Sequence, residues 1–332
     1  MDNILITGGM GFIGSHFVRL AVKGLPNATV YNLDKLTYAG NPRNLDDIRD
    51  ARNYVELTPH TTGGSSCDIA DASLMRFIMT KFRIDTVINF AAESHVDRSI
   101  LDAAPFVKTN VLGTMSLIEA SRQAGVRRFV QISTDEVYGS VDEGFSRETD
   151  PMHPNSPYAA SKLASEQIAL SYFRTHKFPV LVTRSSNNYG PFHYPEKVIP
   201  LFITNLLEGK KVPLYGDGLN VRDWIHVEDN AHAIMIVLQN GIEGEVYNIA
   251  GQNHFTNKEL TLKIIKAMGK DESSIQKVED RKGHDRRYAL DDSKIRNALG
   301  WNPKIRFEDG LNKTIAWYKD RADWWKPLKE RM

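Results

Sequence analysis

The chain has 332 residues, enough for one large α/β domain or two coupled ones with ample core. Its 41% hydrophobic and 25% charged content is ordinary for a soluble globular protein, and a formal net charge of +1 gives no bulk attraction to nucleic acid or an anionic membrane. A single cysteine, Cys67, excludes an intrachain disulfide and a cysteine metal cluster.

The chain opens directly into Asn3-Ile4-Leu5-Ile6-Thr7, with no basic, apolar leader before it. No apolar run approaches the roughly 18 residues that a membrane span needs. A cytoplasmic protein without a membrane or nucleic-acid partner is expected.

Ile4–Thr7 reads as a buried strand, followed by a glycine turn and a helix over Gly14–Val22. The turn Gly8-Gly9-Met10-Gly11-Phe12-Ile13-Gly14 fits the spacing that lets backbone approach a pyrophosphate at a helix N-terminus. Its place between a strand and a helix gives the pattern weight beyond a plain tight turn. Val30–Leu33 is a second strand ending at Asp34, twenty residues after Gly14. A carboxylate there accepts hydrogen bonds from ribose hydroxyls and repels a 2′-phosphate, which favours NAD over NADP. Lys35 partly offsets that repulsion, and Asp34 also fits a strand-end turn residue.

Further strands are expected at Val87–Phe90, Phe129–Ile132 and Val180–Thr183, and helices near Ser73–Phe82, Pro105–Gln123 and Tyr158–Thr175. The alternation argues a parallel sheet with helices on both faces. Asp68-Ile69 and Ala91-Ala92 follow strands where a dinucleotide would lie, and they equally suit a surface loop and a small-residue packing site.

The run Thr134-Asp135-Glu136 stands just beyond the strand Phe129–Ile132, where ligands bind in such sheets. Tyr158 and Lys162 are four apart on one helix face. An ammonium beside the phenol is expected to lower the phenol pKa, so that it takes the proton of an alcohol undergoing oxidation. An acid and a base nearby add a second step. A new carbonyl acidifies the adjacent C–H, so a base removes that proton while an acid expels the next hydroxyl. The set reads as oxidation followed by loss of water.

Pro191, Pro195, Pro200 and Pro213 suggest a crossover or substrate loop near 187–225. Trp224–Gln239 reads as strand then helix rejoining the sheet. The expected division is therefore 1–186 with 224–250 as a dinucleotide-binding unit, and 187–223 with 251–332 as a substrate unit. The histidines show no metal-ligand spacing, so no metal is expected.

Several motifs together resemble the extended short-chain dehydrogenase/reductase family over essentially the whole chain, and within it the dTDP-glucose 4,6-dehydratases. They are the Thr7–Gly14 turn, Leu33–Asn41, Ala92–Ser99, Ser133–Gly139, Tyr158-Ala159-Ala160-Ser161-Lys162, and Asn187–Pro191 running on to Pro195-Glu196-Lys197. The glycine turn and the Tyr/Lys pair mark the superfamily. The Thr-Asp-Glu run is narrower, because epimerases of similar fold place small residues at those two acids. The Thr58–Ser66 stretch departs from the family pattern ahead of Asp68.

The resemblance implies a Rossmann-type, doubly wound α/β fold with a smaller mixed α/β substrate domain, and a homodimer. It implies NAD held by Gly8, Gly11, Phe12, Ile13, Gly14, Asp34, Lys35, Thr37, Asp68, Ile69, Ala91, Ala92, Tyr158, Lys162 and Asn188. It implies a nucleotide-sugar held by Ser94, His95, Thr134, Asn187, Lys197, Arg222, Asn257, Arg281 and His284. From the residues alone, Arg222 and Arg281 suit surface ion pairs equally well, and His95 also suits a loop position. In the implied cycle Tyr158 deprotonates the 4-hydroxyl of glucose, Lys162 holds the nicotinamide ribose, and Thr134 bonds the same oxygen. Glu136 removes the C5 proton and Asp135 protonates the departing 6-hydroxyl. Alternatives are a UDP- or GDP-sugar 4,6-dehydratase, a nucleotide-sugar 4-epimerase, and an NAD-binding sensor on the same fold.

Overall fold

The structure is a computed structural model that describes residues 1–280 and 283–331. Twelve strands are described: β1 Asn3–Thr7, β2 Thr29–Leu33, β3 Tyr54–Leu57, β4 Thr86–Asn89, β5 Arg128–Thr134, β6 Val180–Ser185, β7 Asn187–Tyr189, β8 Val212–Tyr215, β9 Val221–His226, β10 Val246–Ile249, β11 His254–Thr256 and β12 Ile275–Val278. Seven form one sheet in the order β10-β6-β5-β4-β1-β2-β3. Every pairing in it is parallel. Parallel strands need helical crossovers, and these cover both faces, so the strands are apolar on both sides. Ile4 and Ile6 enter one core layer while Leu5 enters the opposite one, and all three are fully buried.

The order reverses between β1 and β4, which opens a crevice at their carboxyl ends. The glycine turn follows β1 and the Thr-Asp-Glu run begins at the last residue of β5, so both motifs open onto this edge of the sheet.

Two segments differ from expectation. β9 does not run back into the large sheet; it pairs with β7 and β11 in a three-stranded sheet. Trp224 on β9 packs in a third apolar cluster with Tyr189, Phe307 and Trp324, and Asp223 caps the turn between β10 and β11 by accepting from Gly251 N and Asn253 N. The next helix, Val227–Asn240, does pack on the large sheet, and β10 joins it beside β6. The second difference lies in 104–123, which is not one regular helix. Val107–Gly113 winds as a π-helix before the α-helix Thr114–Gln123. The wider turn carries Asn110 inward, where it bonds both backbone groups of Glu93 and the hydroxyl of Ser161.

Candidate active site

A cavity of about 500 Å³ lies at the carboxyl ends of the strands. At its floor, Gly8 adopts φ +71° and its backbone touches the segment after β4, so a Cβ there would sit 2.6 Å from Ala91 N. A Cβ on Gly14 would meet Gly8 O at 2.3 Å. The helix Phe12–Gly24 begins with Gly11 at its cap and no side chain covering its free N–H groups. This cradle fits the pyrophosphate of a dinucleotide. Asp34 is buried beside it, accepting from Met10 N at 2.8 Å and from Leu36 N at 2.8 Å. Burial pushes its carboxyl up from the usual range, against those two hydrogen bonds. Lys35 donates to Asp68 Oδ2 at 2.6 Å, so its charge is already matched. The residues present therefore fit NAD, and Thr37, Ile69, Ala91, Ala92 and Asn188 line the same cavity.

The end of β5 brings the chemistry. Thr134 Oγ1 lies 3.2 Å from Asp135 Oδ1 and accepts from Glu136 N at 3.3 Å, which starts the single turn Asp135–Tyr138. Asp135 is buried, and its second oxygen has no hydrogen-bond partner among the described residues. Burial, then the Glu136 charge, push its carboxyl up to about 8. Glu136 is half-buried and lines the cavity. Two adjacent side chains of the same chemistry thus stand in different environments, the arrangement that separates an acid from a base.

Tyr158 and Lys162 rise from the helix Pro157–His176, which Ser156 caps through Ala159 N. Here the expectation of a lowered phenol pKa is corrected. Burial and then the Glu136 charge push the Tyr158 phenol up, with only the hydrogen bond to Thr134 opposing them. Lys162 spends a donor on the Ile132 carbonyl at 2.5 Å, and burial lowers its ammonium to about 8. Helical spacing puts both residues on one face, but burial and two nearby carboxyl groups outweigh the ammonium.

The expected sugar-side residues Ser94, His95, Asn187, Lys197, Arg222, Asn257 and His284 all line this cavity, while Arg281 lies outside the described residues. Lys197 Nζ donates to Ser94 O at 3.2 Å, which ties two of them together. Arg222 is buried rather than at the surface; it donates to Asp285 O at 2.9 Å and lies 4.1 Å over the Tyr288 ring. His95 Nε2 stands 3.5 Å from Glu196 Oε2, which also accepts from Arg98.

Sequence reasoning assigns no role to Tyr38, His193, Glu196, Tyr215 or Tyr288, which also line the cavity. Glu196 sits beside Lys197, and that adjacency was a usable signal. Tyr288 had none, because it reaches the site only when its segment bridges to β9, where Tyr288 N bonds Val221 O.

The chain matches the family described as GDP-mannose 4,6 dehydratase over residues 5–314. It is 50% identical to dTDP-glucose 4,6-dehydratase of Streptomyces niveus, covering 98% of this chain and 95% of that protein. It is 44% identical to the dTDP-glucose 4,6-dehydratase of Neisseria meningitidis serogroup B, covering 98% and 96%. Among solved structures, DesIV, the dTDP-glucose 4,6-dehydratase of Streptomyces venezuelae with NAD bound, superposes with a TM-score of 0.94 at 48% identity, covering 98% of this chain and 99% of that one. The UDP-glucose 4-epimerase of Thermotoga maritima gives 0.87 at 32% identity, covering 96% and 99%.

Proposed function

The chain belongs to the GDP-mannose 4,6 dehydratase family, and we propose that the residues gathered in its cavity carry each step of an NAD-dependent dehydration of dTDP-glucose. The reaction removes water and yields dTDP-4-keto-6-deoxy-glucose, which makes the enzyme a hydro-lyase. NAD⁺, when bound, would supply the hydride acceptor for C4 and the hydride donor for C6, so the cycle consumes no external oxidant. Gly8, Gly11, Phe12, Ile13 and Gly14 would hold its pyrophosphate and Asp34 its adenosine ribose. Tyr158 takes the proton of the 4-hydroxyl, with Thr134 bonded to the same oxygen. Burial opposes the phenolate in the chain itself, so a positive nicotinamide bound beside Tyr158 would favour its ionised form. Lys162 holds the nicotinamide ribose.

Once C4 is a carbonyl, Glu136 removes the C5 proton and Asp135 gives its proton to the departing 6-oxygen. The observation that carries this reading is the buried Asp135 oxygen without a partner beside Glu136. An acid that keeps its proton near neutral pH serves a leaving hydroxyl, and a 4-epimerase has no use for one. Incubation with dTDP-glucose and with UDP-glucose tests it. Formation of a 4-keto product from dTDP-glucose supports the reading, and interconversion at C4 without dehydration sinks it.

Two units share this work in our reading. Residues 1–186 with 224–250 hold NAD, and 187–223 with 251–332 grip the nucleotide through Arg222, Asn257 and His284. We also infer a cytoplasmic homodimer. Exposed Leu101, Val107, Leu112 and Met115 on one stretch of helices support the dimer, and sedimentation of the purified protein tests it.

A further inference from the structure

Arg184, at the end of β6, and Glu166, in the helix of Tyr158 and Lys162, are both fully buried and form a two-pronged ion pair. Arg184 Nε lies 3.1 Å from Glu166 Oε2, and its Nη2 lies 2.6 Å from Oε1. Burying such a pair is weak evidence for stability, since desolvation offsets the attraction. Its connections are more informative. Tyr158, Lys162 and Glu166 are spaced four apart and share one face of their helix. Glu166 is the one group that raises the Lys162 pKa against burial.

The free prong of Arg184 reaches the other half of the chemistry. Its Nη1 lies 2.5 Å from the Tyr138 hydroxyl, which in turn donates to Asn248 Oδ1 at 2.9 Å. Tyr138 closes the turn that begins with Asp135 and Glu136. That turn is held at its start by the Thr134 hydroxyl and at its end by Tyr138. Gly139 follows at φ +74°, and a Cβ there would clash with His153 O at 2.2 Å, so the exit path of the turn is also set.

We propose that Tyr138 is a positioning residue for the elimination half of the reaction, fixing the Asp135–Glu136 turn through Arg184 to the helix that carries Tyr158 and Lys162. The inference rests on the dehydration reading above. It assigns Tyr138 no contact with substrate. Its hydroxyl holds the acid and the base in register with the sugar after C4 has been oxidised.

The test is Tyr138→Phe, which keeps the ring and removes the clamp. With bound NAD retained, a single turnover with dTDP-glucose is followed by reduced-nicotinamide absorbance and by deuterium entering C5 in D₂O. C4 oxidation is expected at the wild-type rate. Elimination is expected to slow by about 10- to 100-fold, the usual effect of misplacing a catalytic group. Bound NADH then accumulates in the variant and not in the wild type. Arg184→Lys keeps a charge for Glu166 and loses the reach to Tyr138; it is expected to shift the same balance, and it serves if the first variant does not fold. Equal slowing of both steps, or of neither, overturns the proposal. Failure of the wild type to form any 4-keto product overturns the dehydration reading instead.

Discussion

Lys162 donates to the Ile132 carbonyl oxygen at 2.5 Å, which pins the helix of Tyr158 to the strand that ends in Thr134-Asp135-Glu136. This contact ties the helix of Tyr158 and Lys162 to the strand from which Asp135 and Glu136 emerge, beside the Tyr138–Arg184–Glu166 link. Removing it has two consequences. Lys162→Met takes the shorter of two side-chain donors from the Ile132 carbonyl, which keeps Gln131 Nε2 at 3.3 Å, at a cost of about 0.5–1.5 kcal/mol. The same variant loses the group assigned to the nicotinamide ribose. Thermal unfolding should show the lower stability, and stopped-flow measurement should show slowed C4 oxidation with weaker NAD retention. A variant with full oxidation rate would remove Lys162 from the reaction.

Asp135 sets a pH limit. Its carboxyl is pushed up to about 8, first by burial. In the proposed role of acid it would work only while protonated, so elimination should fall as pH rises through about 8. The stability sign follows from linkage. The folded state holds this proton more tightly than the unfolded chain, so the contribution is full below the ordinary aspartate range and is lost as pH rises through about 8. Asp135→Asn should remove that loss, which accrues between the ordinary aspartate range and about pH 8, and slow elimination at every pH. Denaturant unfolding at several pH values, beside rate measurements, checks both; an unchanged alkaline limb in the variant would assign the limb elsewhere.

Glu136→Gln keeps the shape of the base and removes its proton affinity. In the proposed cycle oxidation at C4 needs Tyr158, Thr134 and NAD⁺, so it should persist. Elimination should slow by about 10²–10⁴-fold, the usual worth of general acid–base help. The variant should hold bound NADH and a 4-keto-glucose intermediate, and the wild type in D₂O should place deuterium at C5. Dehydration at the wild-type rate would refute the assignment.

Asp34→Ala should weaken NAD binding and relax discrimination against NADP. The change also strips the acceptor from Met10 N and Leu36 N, so the glycine turn should loosen with it. Cofactor titration of the purified variant separates the outcomes, and an unchanged NAD/NADP preference would take Asp34 out of the ribose site.

Local chemistry made much of this protein legible from its sequence. Glycines at fixed intervals between a strand and a helix specify a dinucleotide cradle, since only they permit the Gly8 and Gly14 contacts. Apolar strands alternating with amphipathic helices specify a parallel sheet, and adjacent acids after a strand specify their place at its carboxyl edge. Tertiary structure alone decided the rest. Tyr288 meets Arg222 because a distant segment folds back on β9. β9 itself left the large sheet because Trp224 found its apolar partners elsewhere. The phenol of Tyr158 moved opposite to the direction its neighbour Lys162 suggested. Spacing along a helix tells which side chains share a face; burial and the charges brought from other elements decide which proton each one keeps, and those exist only once the chain has folded.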